Sequence, residues 1–223
     1  MRRALAATMV LAGVLALADA ALTLLWQEPV SALRARAAQP RLRAELRALE
    51  LAVPAPSGAQ RHAAVAASAR ALRRRTHDGA AVARLRIPRI GLDAIVVRGT
   101  RPDDLERAPG LLDATALPGE AGTAAIAGHR TTYGAPFRHI DRLRRGDRLT
   151  VAMPYGTFRY AVEGTRIVDP GDPGVLRTVG HPRLVLSACH PLFSAARRVV
   201  VYAAQIGVGR TAKGLKRGVH GAR

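Results

Sequence analysis

The sequence predicts a mainly β fold: a closed eight-stranded barrel with short helices, behind a membrane-crossing N-terminal helix and a helical or irregular stalk. Three observations predict it. Ala4 to Trp26 is apolar apart from Thr8, Asp19 and Thr23, and roughly 20 such residues cross a bilayer core of about 30 Å as a helix. The stretch after it is rich in Ala and Arg and poor in large apolar residues. From Ala83 onward, short β-rich runs alternate with turn residues, the pattern of a closed or nearly closed antiparallel barrel. The expected divisions are an anchor at 1–26, a juxtamembrane stalk at 27–82, a barrel domain at 83–206 and a basic disordered tail at 207–223.

The apolar run is read as an uncleaved anchor. Ala18-Asp19-Ala20 would suit signal cleavage, but Leu22, Leu24, Leu25 and Trp26 continue the run, and Trp is suited to a membrane interface. Arg2 and Arg3 favour a cytoplasmic N-terminus, while Arg34, Arg36, Arg41 and Arg43 on the other side leave the charge count ambiguous. In the stalk, Leu33, Leu42, Leu46 and Leu49 have helical spacing, and Pro54, Pro56 and Gly58 interrupt it. The charge run Arg70, Arg73, Arg74 and Arg75 is read as a solvated face that can also meet anionic lipid.

The barrel is read element by element. Leu85–Val97 gives two strands around the turn at Gly91, and Thr123–Ala127 gives a short apolar strand ending at Gly128-His129. Arg148–Met153 and Thr157–Val162 flank Pro154-Tyr155-Gly156, a hairpin signature, with Ile167 and Val168 extending the second arm. Leu184–Leu186 leads into Cys189, and Arg198–Ala204 is a β-branched run. Short helical turns are expected at Asp103–Glu106 and Pro136–Leu143.

Composition narrows the chemistry. The 223 residues carry 35 Lys+Arg against 16 Asp+Glu, a net charge of +19, which attracts polyanions such as anionic lipid or an acidic envelope. Aromatics make up 4% of the chain, which disfavours a stacking platform for single-stranded nucleic acid, and no nucleic-acid partner is expected. One cysteine excludes an internal disulfide framework and any Cys-cluster metal site.

That cysteine, Cys189, ends an apolar strand closed by Pro191. A lone strand cysteine is most often a small buried hydrophobe. Its context points elsewhere. His129 also follows an apolar strand, and Arg197 and Arg198 open the next strand, so a thiol, an imidazole and a guanidinium can meet at three strand ends. Nearby cations favour the nucleophilic thiolate. Strand alternation aims His190 away from Cys189 and lets only one of Arg197 and Arg198 face it. His62, His77 and His220 lie in the stalk and tail; His139 and His181 lack the strand-then-Gly setting of His129.

Gly128–Phe137, Leu186-Ser187-Ala188-Cys189-His190-Pro191 and Ser194–Val201 together resemble a sortase, most closely the class E group of high-GC Gram-positive bacteria. The similarity covers roughly Ala83 to Gln205. It implies an eight-stranded β barrel with Cys189 as nucleophile, His129 as acid and base, and Arg198 as the arginine that stabilises the reacting carbonyl, with Arg197 as the fallback. It also implies substrate contacts at Tyr133 and around Ala188, and a groove shaped by the loop Asp169–Arg183. Sortases usually carry Thr where this chain has Ala188 and Val185, so a hydroxyl beside the nucleophile is missing.

The activity implied is cleavage of an LPxTG-like or LAxTG-like sorting signal between Thr and Gly through a Cys189 thioester. The acyl group passes to an amine of a peptidoglycan precursor. Partners are then secreted proteins bearing C-terminal sorting signals, with the barrel outside the cell and the N-terminus in the cytoplasm; no cofactor or metal is implied. Two other classes fit the residues differently. A membrane-tethered polyanion-binding envelope protein would treat Cys189 as filler, and a cysteine peptidase would use the same residues but transfer only to water. The Ser-x-Gly-Cys pattern of L,D-transpeptidases is absent.

Overall fold

From Ala81 to Gly209 the chain forms eight strands that close on themselves. The structure, a computed structural model, describes residues 2–25, 29–53 and 61–209, with the side chains of 2–4, 22–25, 29, 61 and 62 outside that description. Three helices come first: α1 (Arg2–Leu25), α2 (Pro29–Ala52) and α3 (Arg61–Arg75). The strands are β1 (Ala81–Ile87), β2 (Leu92–Arg98), β3 (Gly110–Leu111), β4 (Thr123–Ala127), β5 (Arg148–Met153), β6 (Gly156–Val168), β7 (Arg183–His190) and β8 (Arg197–Gly209). A further helix, α4 (Pro102–Arg107), lies between β2 and β3. Around the barrel the strands run β1-β2-β3-β4-β7-β8-β6-β5, and β5 pairs back onto β1.

The expectation of an all-antiparallel barrel is corrected at two places. β2 pairs with β3 in parallel, and β4 pairs with β7 in parallel. Parallel neighbours need a crossover, which a tight turn cannot supply. Between β2 and β3 that crossover contains α4. Between β4 and β7 it contains the whole β5–β6 hairpin, so β7 arrives beside β4 from the far side of the barrel and runs in the same direction.

β3 escaped the sequence reading because two residues carry no periodicity. Gly110 is needed there, since a Cβ on it would collide with the Gly99 carbonyl oxygen. The other strands fall where expected, and the hairpin at Pro154-Tyr155 joins β5 to β6 with Met153 opposite Gly156. Leu85, Ile87, Ile126, Leu186 and Val201 point inward and form the barrel core. The Asp103–Glu106 turn is part of α4, and Ile140–Arg142 is a short 3-10 turn. Gly207–Gly209 belong to β8 rather than to a tail, and residues 210–223 lie outside the described residues.

The segment expected to be a solvated stalk carries two helices that dock on the barrel. In α2, Leu42 and Leu46 are buried against Ile95 and Val97 of β2, while Leu33 faces solvent. In α3, Val65, Ala69 and Leu72 join the main core. The basic run is partly used as well, because Arg73 forms an ion pair with Glu120 at 2.7 Å. Small Ala side chains hide this packing in the sequence, since close helix approach needs few large apolar residues.

The N-terminal helix α1 exposes every described side chain from residue 5 to 21. Among the described residues no helix is long and apolar enough to cross a membrane.

Docking of α3 makes a stability prediction. Leu72 is 1% exposed, so Leu72→Ala should destabilise the protein by about 2–5 kcal/mol in denaturant unfolding. A loss under about 0.5 kcal/mol would mean that α3 does not pack on the barrel in solution.

Candidate active site

The parallel β4–β7 pair sets the site. Its register places Ala125 opposite Val185 and Ala127 opposite Ser187, and Gly128 N–H donates to the Ser187 carbonyl at 3.1 Å. Continued by two residues, the same register brings His129 level with Cys189. A side chain at position 128 would not fit, since a Cβ there would meet the buried Phe137 ring at 2.8 Å.

On the other side of β7, Cys189 lies directly opposite Arg198 of β8. Alternation sends Val185, Ser187 and Cys189 to the outer face, together with Arg198 and Val200. A groove of about 230 Å³ runs along this face over Ala125, Val185 and Val200 as far as Ser187 and Arg198. Val175 and Leu176, within the Asp169–Arg183 segment, form its wall. Arg198 Nη1 donates to the carbonyls of Ala195 at 2.9 Å and Arg197 at 3.0 Å, which ties the guanidinium to the β7–β8 turn. Arg197 is one residue out of phase and pairs with Asp169 at 3.2 Å.

The placement of Ala188 is a correction. Its side chain points into the barrel and is 4% exposed within the core, so it does not line the groove. Tyr133 lies beside His129. Its ring lies 5.0 Å from that of His129, and its hydroxyl donates to Glu106 Oε1 at 2.8 Å. Tyr133 N–H donates to Ser31 Oγ of α2 at 2.7 Å, so a helix before the barrel holds the loop that carries His129. Burial pushes the His129 imidazole below its ordinary value, and the Glu106 carboxylate partly opposes this. This burial favours the neutral imidazole over the imidazolium.

Sequence reasoning missed Arg130. It is 3% exposed, and its Nη1 donates to the Cys189 carbonyl at 3.3 Å and lies 3.2 Å from His190 Nδ1. Its Nη2 is 3.1 Å from Asp141 Oδ2. Arg130 thus links the two chain segments that carry His129 and Cys189. The available signal was its place after His129, where alternation turns it away from the groove. Among the described residues no group of His, Cys, Asp and Glu is arranged to hold a metal ion.

The titration of His129 checks this environment. Its NMR midpoint should lie below the ordinary 6.5, and Glu106→Gln should lower it further by removing the charge that favours imidazolium. The unfolded chain then binds this proton more readily than the fold does. The linked stability is complete above about pH 6.5 and is lost as pH falls through the lowered folded value. A midpoint above 6.5, or a rise in Glu106→Gln, would contradict the buried site.

Comparison with known proteins identifies the family. The Sortase domain family model matches residues 85–206. Sortase D of Bacillus subtilis is 34% identical over 127 residues, covering 55% of this chain and 62% of that protein. Sortase SrtE1 of Streptomyces coelicolor is 34% identical over 98 residues, covering 40% of this chain and 28% of that protein. The chain thus spans less than two thirds of either relative. The structure of sortase E from Streptomyces avermitilis superposes with a TM-score of 0.57 at 30% identity, covering 62% of this chain and 96% of that one. With more than half of its length matched by the family model, the chain belongs to the sortase family of cysteine transpeptidases.

Proposed function

We propose that this protein is a membrane-anchored sortase that cleaves an LPxTG-like or LAxTG-like signal between Thr and Gly and transfers the acyl part to an amine of a cell-wall precursor. The observation that carries the reading is the direct opposition of Cys189 and Arg198 on one outer face, where Arg198 and Ser187 line the end of a groove. In this reading the Cys189 thiol gives its proton to neutral His129 and attacks the Thr carbonyl. Arg198 donates to the developing oxyanion. The Thr–Gly bond breaks as His129 returns the proton to the leaving amine, leaving a thioester. An incoming amine then attacks the thioester, loses a proton to His129 and restores the thiol.

The anchor reading is supported by α1, whose Leu5, Met9, Val10, Leu11, Val14, Leu15 and Leu17 are all exposed. An exposed apolar surface of this kind is buried favourably against lipid. Anchoring with the barrel outside would hold enzyme and membrane-bound precursor together and raise their effective concentration.

The full chain in detergent micelles, given LPETG and LAETG peptides and an amine acceptor, should release the Gly fragment and form the amine adduct by mass spectrometry. Cys189→Ala should abolish both, and Arg198→Ala should lower kcat/KM by about 10²–10³-fold. Cleavage without adduct at saturating amine would favour the peptidase, and undiminished envelope binding with no cleavage would favour the polyanion-binding protein.

A further inference from the structure

Past Val168 and Asp172 the groove continues into a second depression of about 310 Å³, lined by Arg166, Arg177, Arg183 and Tyr202. Arg183 is held in place: Nη2 donates to the Arg177 carbonyl at 2.6 Å, and the guanidinium lies 4.8 Å from the Tyr202 ring centroid. Its Nε is buried without a hydrogen-bond partner. One acid, Asp172, lines this depression beside the three arginines. Asp172 accepts from Gly174 N–H at 2.8 Å, and Glu163 lies 3.0 Å from His181 Nε2. Among the described residues, neither Arg166 nor Arg177 is ion-paired with a carboxylate.

The spacing says what would reach this basin. Cys189 faces Arg198 and Val185 faces Tyr202, so the basin begins four strand residues from the thiol, about 13 Å at the usual strand rise. Arg183 shares the outer face of Cys189, two residues farther on. An extended peptide with four residues between its scissile bond and the basin spans the same length.

We propose that this arginine basin binds carboxylate side chains in the substrate segment just N-terminal to the four-residue acyl part of the sorting signal. Acid-flanked signals are then preferred substrates. This rests on the sortase reading above and adds a substrate class to it. Continuity with the groove favours a peptide over a phosphate ligand.

Three peptides with one motif, preceded by Asp-Asp, Ser-Ser or Lys-Lys, test the basin with the full chain in micelles. Asp-Asp should exceed Lys-Lys in kcat/KM by about three- to tenfold at low salt, mostly through KM, and the ratio should shrink in high salt. In Arg166→Glu/Arg177→Glu the ratio should invert. Equal values for the three peptides, or a ratio unchanged in the double variant, would overturn the proposal. Fluorescence anisotropy of the same peptides on Cys189→Ala reads the preference without turnover, so a failure of the sortase reading is seen separately. Equal binding of the three peptides there, with inorganic diphosphate alone protecting Arg177 from phenylglyoxal, would overturn the proposal in favour of a phosphate ligand.

Discussion

The parallel pairing of β4 with β7 is the constraint on which the site depends. A hairpin would have put the ends of these strands at opposite rims of the barrel. Running in parallel, with Ala127 beside Ser187, they finish together and bring His129 and Cys189 to the same rim. β8 then adds Arg198 through ordinary antiparallel register. Cys189 and Arg198 are strand partners, and the parallel pair carries the His129 segment to the rim where β7 ends.

The rim is braced from behind and from outside. Arg130 reaches from the His129 segment to the Cys189 carbonyl while paired with Asp141. A buried guanidinium needs such partners, so its burial fixes both segments at once. From outside, Ser31 of α2 accepts from Tyr133 N–H, and Tyr133 packs on His129. The helices before the barrel therefore act on the site, and a chain cut near residue 80 would lose the Leu42, Leu46 and Leu72 packing as well.

Much of the barrel was legible because its strands alternate and its turns carry Gly and Pro. β3 was not, since Gly110-Leu111 is too short for any pattern and is fixed by close approach to Gly99. The docking of α2 and α3 was hidden by alanines, whose small side chains read as a polar stalk beside so many arginines. At the site, residue types and alternation pointed to Cys189, His129 and one arginine. The inward turn of Ala188, the Tyr133–Glu106 bond and the bridging of Arg130 depend on contacts between distant segments. Linear spacing carries no record of these.

In the proposed mechanism acyl transfer runs through the sulfur of Cys189. The most direct measurement is intact-protein mass spectrometry of the full chain quenched in acid during turnover of a sorting-signal peptide, followed by mapping of the adduct. The account predicts an acyl mass on Cys189 that hydroxylamine removes and that an amine acceptor depletes. Turnover with no adduct on Cys189, or with an adduct on another residue, would contradict it.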